Sequence, residues 1–206
     1  MEEIFMDKLF GKYPLENIVI RDKSMAQAIS LQPLLVPHTF GRQTRRAFGK
    51  MHMNVVERLA NKLMRGGTGA KTSGKVIRTK GRMQGKKLRA LKIVDGALKI
   101  VEEQTKENPV QVLIKALENA APREDVTRVS HGGVSYQVSV DISATRRVDM
   151  ALRNISLAAL MGSFNKPKTL EQALANEILS TAKGDLQASY AMKKRDETER
   201  MARSAR

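Results

Sequence analysis

Between residues 42 and 92 the chain carries 16 lysines and arginines and a single acid, Glu57, a net charge of +15 in one quarter of the sequence. Residues 1–41 sum to −1 and residues 93–206 to +2, so nearly all of the formal +16 lies in that stretch. Like charges at this density repel one another, and holding them together costs folding energy unless a partner neutralises them. The candidate partners are water alone, a membrane surface or a nucleic acid. The charges fall in Gly-rich and polar segments, not opposite a wide apolar helix face, which disfavours the membrane. The pattern favours a nucleic acid.

Within that stretch, GGTGAKTSGKV (residues 66–76) resembles part of a phosphate-binding loop. A P-loop lysine is followed by Ser or Thr, whose hydroxyl helps hold magnesium. Val76 offers no oxygen, and the preceding NVVERLANKLMR has helical spacing where a P-loop needs a strand. Glycines recurring through 66–87 prevent a long helix and let a backbone approach closely. Lys71, Lys75, Arg78, Lys80, Arg82, Lys86 and Lys87 can then follow an irregular phosphate path, and the segment is expected to order on its partner. A groove-reading helix would instead set its cations along one regular face. The interrupted pattern favours structured RNA over B-form duplex. With aromatics at 4% and only Tyr136 beside a candidate contact surface, base stacking is not expected to be the main mode.

The remaining chemistry is sparse. There are no cysteines, and His38, His52 and His131 have no zinc-ligand spacing. Ser73, Ser130 and His131 lack an orienting third group for a nucleophile, and no carboxylate pair suggests acid–base work. No enzyme activity, metal or cofactor is expected. No apolar run reaches membrane-spanning length, and MEEIFMDKLF starts acidic, unlike a secretory leader, so a cytoplasmic location is expected.

The rest of the chain reads as mainly helical. Residues 1–41 show weak periodicity and form an N-terminal extension of short elements over a main domain spanning 42–206, whose basic insert covers 65–87. Val55, Val56, Leu59 and Leu63 predict a helix over about 52–64, and Leu91, Val94, Leu98 and Val101 one over 87–105. Asn108, Pro109 and Gln111 mark a helix start, with Pro122 stopping it. Val148, Leu152, Ile155 and Ala159 predict a helix over 145–161, and Thr169 with Gln172 caps the next. The polar tail 186–204 is expected to be supported by the pairs Lys193–Glu197, Asp196–Arg200 and Glu199–Arg203.

One interval breaks this rhythm. Val134, Tyr136, Val138, Val140 and Ile142 alternate with polar residues, the period of a strand. Its partner is 126–130, and Gly132-Gly133 permits a tight reversal, giving a hairpin over 126–140. The fold class is a helical, bundle-like domain with one projecting β-hairpin arm.

Five stretches carry a family resemblance: NVVERLANKLMRGG, GKKLRALKIVDGALKIVEE, NPVQVLIKALENAAP, RVSHGGVSYQVSVDISATRRVDMALRNI and YAMKKRDETERMA. Together they resemble the small-subunit ribosomal protein seven family, in its archaeal and eukaryotic branch. The resemblance implies a structural ribosomal protein that binds the 3′ major domain of small-subunit rRNA and starts head assembly. It implies an arm near the exit-site tRNA and the mRNA exit channel, beside other head and platform proteins. On this chain the rRNA grip would fall on Arg42, Arg45, Arg46, Lys50 and the insert through Arg89. The arm region would present Arg128, His131, Gly132, Gly133, Tyr136, Arg146 and Arg147, with Lys193, Lys194 and Arg195 on the last helix. Bacterial relatives carry basic residues just before the double glycine, where this chain has Ser130 and His131, so Arg128 is the arm's main cation.

If Lys75 meets RNA phosphate and not a nucleotide, Lys75→Ala weakens RNA binding and leaves unfolding stability within about 0.5 kcal/mol. Titration with RNA and with ATP checks this, and ATP binding abolished by the substitution would restore the P-loop reading.

Overall fold

Burial of the predicted stripes organises the chain. The computed structural model describes residues 8–65 and 82–206. The main helices are α2 (Val55–Met64), α3 (Lys87–Thr105), α4 (Pro109–Ala120), α5 (Ala144–Ser163), α6 (Leu170–Lys183) and α7 (Tyr190–Ser204). The short α1 (Lys23–Ala26) precedes them. Leu59, Leu63, Leu98, Leu113, Leu117, Leu152, Ile155, Leu174 and Ile178 are fully buried in one core. Helix α6 packs against α3, α4 and α5, while α2 closes the side formed by α3 and α5.

The caps explain the boundaries. Asn54 Oδ1 accepts the Val56 N–H at 2.9 Å, so α2 starts at Val55 and not near His52, which ends a 3₁₀ turn over Gly49–His52. Asn108 caps α4 with Pro109 at its first position, and Thr169 and Gln172 form the reciprocal box of α6. Gln111 does not join a cap. Its amide instead pairs with the backbone N–H and C=O of Val19, at 2.9 and 3.0 Å.

That contact is one of several stitching residues 8–41 to the helices. Asn108 Nδ2 donates to Pro14 O, and Glu118 Oε1 accepts from the Arg21 and Asp22 N–H groups. A miniature ladder of β1 (Lys8–Leu9) and β2 (Tyr13–Pro14) turns back on itself. Leu9, Tyr13, Met25, Ala28 and Ile29 belong to the same core as the helices. From residue 8 onward the predicted extension is therefore part of the packed body.

The second hairpin pairs β3 (Glu124–His131) with β4 (Val134–Asp141), in a register running from Glu124↔Asp141 to His131↔Val134. Gly132 and Gly133 have φ of 59° and 84°, the two positive values that a two-residue I′ loop requires. Val129, Tyr136, Val138 and Val140 share one face and all stay exposed. Contacts to the body gather at the base, where Arg146 pairs with Asp125 at 2.9 Å and Arg206 pairs with Glu124. The hairpin thus projects as an arm.

The tail is held differently from its prediction. Of the three expected pairs none forms, and Lys194 instead meets Glu197 at 2.7 Å. Glu199 Oε1 accepts the Arg123 N–H, and Ala191, Met192, Thr198 and Ala202 are buried. At the start of α7, buried Glu177 accepts from the Ser189 hydroxyl and the Ala191 N–H, at 2.8 and 2.9 Å. Packing and buried polar bonds anchor this helix.

Glu57, the lone acid of the basic quarter, is fully buried on α2. Its Oε1 accepts the Thr39 N–H and hydroxyl at 3.0 and 2.9 Å and pairs with Lys87 Nζ. Glu57→Gln should lower unfolding free energy by about 3 kcal/mol, the low end for a broken buried pair, because Lys87 can swing to the rim. Chemical denaturation checks it. Glu57→Gln with Lys87→Met should recover most of the loss, whereas an additive double variant would show that the pair is not coupled.

Candidate nucleic-acid interface

Two 3₁₀ turns, Arg42–Arg45 and Gly49–His52, present the first basic block. They pack closely enough that a Cβ on Gly49 would lie 1.9 Å from Gln43 O. Arg42, Arg45 and Arg46 are exposed on or beside this closely packed pair, and Arg82, Lys86 and Arg89 are exposed just before and within the first turn of α3. None of these six forms an ion pair among the described residues. Thr44 and Lys50 from the turns, Arg65 from the end of α2, and Gln84 and Gly85 line one cleft of about 600 Å³. The two basic blocks therefore flank a shared opening, with Met53 and Met64 in its lining. Lys71, Lys75, Arg78 and Lys80 lie outside the described residues.

Other cations are bound inside the protein. Lys87 is committed to Glu57, as above. Asp149 on α5 gathers Lys50, Arg58 at 3.2 Å and Lys62 at 3.5 Å. Arg58 is buried and also donates to Ala28 O at 2.6 Å. Burial pushes the Asp149 carboxyl up, but Lys50, Lys62 and Arg58 together outweigh it and hold it below the usual carboxylate value. Burial likewise lowers the Lys62 ammonium, against the opposing pull of Asp149. Lys50 remains half exposed, so it can turn one face to a partner.

The arm region divides in the same way. Arg128 and Tyr136 are exposed along the hairpin, and Gly132, Gly133 and the backbone of His131 form its tip. Arg146 is exposed beside Asp125. Arg147 is not available as an arm contact, because α5 turns it inward. It is 6% exposed and donates to Pro122 O, the Ser24 hydroxyl and Asp22 Oδ2, the last at 2.8 Å. It clasps the N-terminal segment to the hairpin base. The Ser24 hydroxyl, against some burial and with help from Arg147, holds the Asp22 carboxyl below its usual value.

On α7, Lys193 is exposed, Lys194 is paired, and Arg195 Nη1 donates to Asn119 O at 2.6 Å. Beneath this helix a cavity of about 780 Å³ mixes Arg21, Arg123 and Arg203 with Glu118, Glu124 and Glu199. Its charges alternate, whereas in the cleft of about 600 Å³ Lys50, Arg58, Lys62 and Arg65 outnumber the single acid Asp149. Phe40 and Phe48, absent from the predicted site, are the most exposed large apolar side chains among the described residues. No cluster that could hold a metal occurs among the described residues, and none of their helices is long and apolar enough to cross a membrane.

The sequence of this chain matches a known family. The profile described as Ribosomal protein S7p/S5e matches residues 25–206. The chain belongs to this family. It is 48% identical over 199 residues to the small ribosomal subunit protein uS7 of Methanococcus maripaludis strain S2, covering 97% of this chain and 98% of the relative. It is 44% identical over 200 residues to the uS7 protein of Methanothermobacter thermautotrophicus, covering 97% of this chain and all of the relative. These archaeal relatives agree with the archaeal and eukaryotic branch that the sequence motifs imply.

Asp149 generates a pH-dependent prediction. Its folded pKa lies below the unfolded value of about 3.9, so its stabilisation is present above that pH and is lost as pH falls through the folded value. Asp149→Asn should cost roughly 3 kcal/mol at neutral pH by leaving buried Arg58 unpaired. The gap to wild type should narrow below about pH 4. Denaturation curves from pH 3 to 7 check this, and a gap independent of pH would contradict it.

Proposed function

We propose that this protein is a structural component of the small ribosomal subunit that binds rRNA through the basic face around the 600 Å³ cleft. The observation that carries the reading is the set of six exposed cations, Arg42, Arg45, Arg46, Arg82, Lys86 and Arg89. They have no acidic partner among the described residues and sit on or beside closely packed turns and before or within the first turn of a helix. Family membership and the uS7 relatives, named as small ribosomal subunit proteins, support small-subunit rRNA as the partner. The role is one of binding and scaffolding, not enzymatic catalysis.

The finer assignment belongs to the same proposal. The protein binds the 3′ major domain as a primary rRNA-binding protein and nucleates head assembly, beside other head and platform proteins. Lys71, Lys75, Arg78 and Lys80 extend the phosphate grip, with Lys50 sharing itself between RNA and Asp149. The arm, through Arg128, Tyr136 and the Gly132-Gly133 tip, lies near exit-site tRNA and the mRNA exit channel. Arg146 and Lys193 supply further exposed cations toward that side, while Arg147 and Arg195 act from within the fold. The location that follows is the cytoplasm, within the ribosome.

Phosphate-dominated binding has a salt signature. With six to ten phosphates neutralised, affinity for a 3′ major domain fragment should fall roughly 10³- to 10⁵-fold between 50 and 200 mM salt. A variant lacking 129–134, with Arg128 joined to Ser135 through a short turn, should keep this curve and alter tRNA retention on rebuilt subunits. A flat wild-type plot, or equal affinity for unrelated DNA, contradicts the grip. Lost fragment affinity in the deletion contradicts the separate role of the arm.

A further inference from the structure

Phe40 and Phe48 are 77% and 76% exposed, and both have a left-handed backbone, with φ of 49° and 57°. Bulky side chains seldom adopt that conformation, and an exposed ring returns no core packing to offset its cost. Two such residues within nine positions of a basic segment require a reason outside folding.

We infer that the two rings are stacking platforms for unpaired bases of the bound RNA, an inference that rests on the RNA-binding reading above. The Phe40 ring is already backed on one side. His38 lies against it with centroids 4.1 Å apart and planes tilted by 36°, and His38 Nδ1 accepts the Phe40 N–H at 3.0 Å. Thr39, between them, is pinned to buried Glu57. Phe48 caps the second 3₁₀ turn, which the close approach of Gly49 locks against the first. Both rings therefore leave the surface from fixed backbone.

Their surroundings select the ligand. Arg42, Arg45 and Arg46 lie between the rings in sequence and are exposed without ion partners among the described residues. An apolar protein surface would have to desolvate these guanidinium groups, whereas RNA supplies phosphates for them and flat π faces for the rings. Bases in a duplex are already stacked, so the ligand is a junction or loop whose nucleotides are open. This mode adds selectivity for unpaired RNA to a phosphate contact that alone reads only charge.

The test uses Phe40→Leu and Phe48→Leu, with Phe40→Tyr and Phe48→Tyr as ring-retaining controls. Each is titrated with a 3′ major domain rRNA fragment and with a fully paired RNA duplex, and thermal unfolding of each confirms the fold. Each leucine variant should bind the fragment roughly 5- to 150-fold more weakly, as loss of one base stack implies. The salt slope should not change, because no phosphate contact is lost. Duplex binding should not change, and the tyrosine variants should bind as wild type does. Leucine variants with wild-type fragment affinity would overturn the stacking role and leave RNA binding standing, including the case where the rings meet a neighbouring protein. An altered salt slope would also overturn it, showing that the rings only position the arginines. A flat slope for the wild type would remove both the stacking role and the RNA grip.

Discussion

One buried carboxylate holds the basic surface in shape. Glu57 is the only acid between residues 42 and 92, and it lies inside the protein between the two basic blocks. Through Thr39 it fixes the chain entering the first block, and through Lys87 it fixes the helix start that carries the second. The acid at the centre neutralises one neighbouring cation and leaves the surrounding ones free. If Glu57 stood at the surface instead, it would compete with the ligand for those same cations.

Asp149 serves the other side of the same surface. It reaches across from α5 to Lys50, Arg58 and Lys62, which tethers the second 3₁₀ turn and α2 to the core. Two carboxylates thus sort the cations of this quarter into structural and exposed sets. Lys87, Arg58 and Lys62 belong to the fold, while Arg42, Arg45, Arg46, Arg82, Lys86 and Arg89 face outward. Free guanidinium groups on rigid backbone lose less conformational entropy on binding than the same groups on an unfixed chain. The arm follows another logic, with its base tied to the body by Asp125 and Glu124 and its length left exposed.

Local periodicity made much of this legible in the sequence. The stripes of α2, α3 and α5, the Asn108-Pro109 start, the Thr169–Gln172 box and the Gly-Gly reversal each depend on neighbours within a few positions. What the sequence did not disclose depends on distant partners. Arg147 sits two residues from Asp149 in a helix that looks basic at its start, and only its contacts with Asp22 and Ser24 make it structural. Leu9, Tyr13 and Met25 fall in a segment without a period, because its own ladder is only two residues long per strand and side chains of α4 satisfy the backbone of Val19, Arg21 and Asp22. Glu197 meets Lys194 in place of Lys193, and Glu199 turns to the hairpin base in place of Arg203. Phe40 and Phe48 read as ordinary apolar residues until their exposure and backbone conformation are seen together.

On the proposed function, burial and pairing decide which cations of this chain meet RNA. Amine-reactive footprinting read by mass spectrometry tests it directly, on the free protein and on its complex with the 3′ major domain fragment. Lys86 should be reactive when free and protected in the complex, while Lys87 should be poorly reactive in both. Lys106, exposed at the far end of α3, should stay reactive throughout. Protection of Lys106 with Lys86 left open, or a Lys87 as reactive as Lys86 in the free protein, would contradict the account.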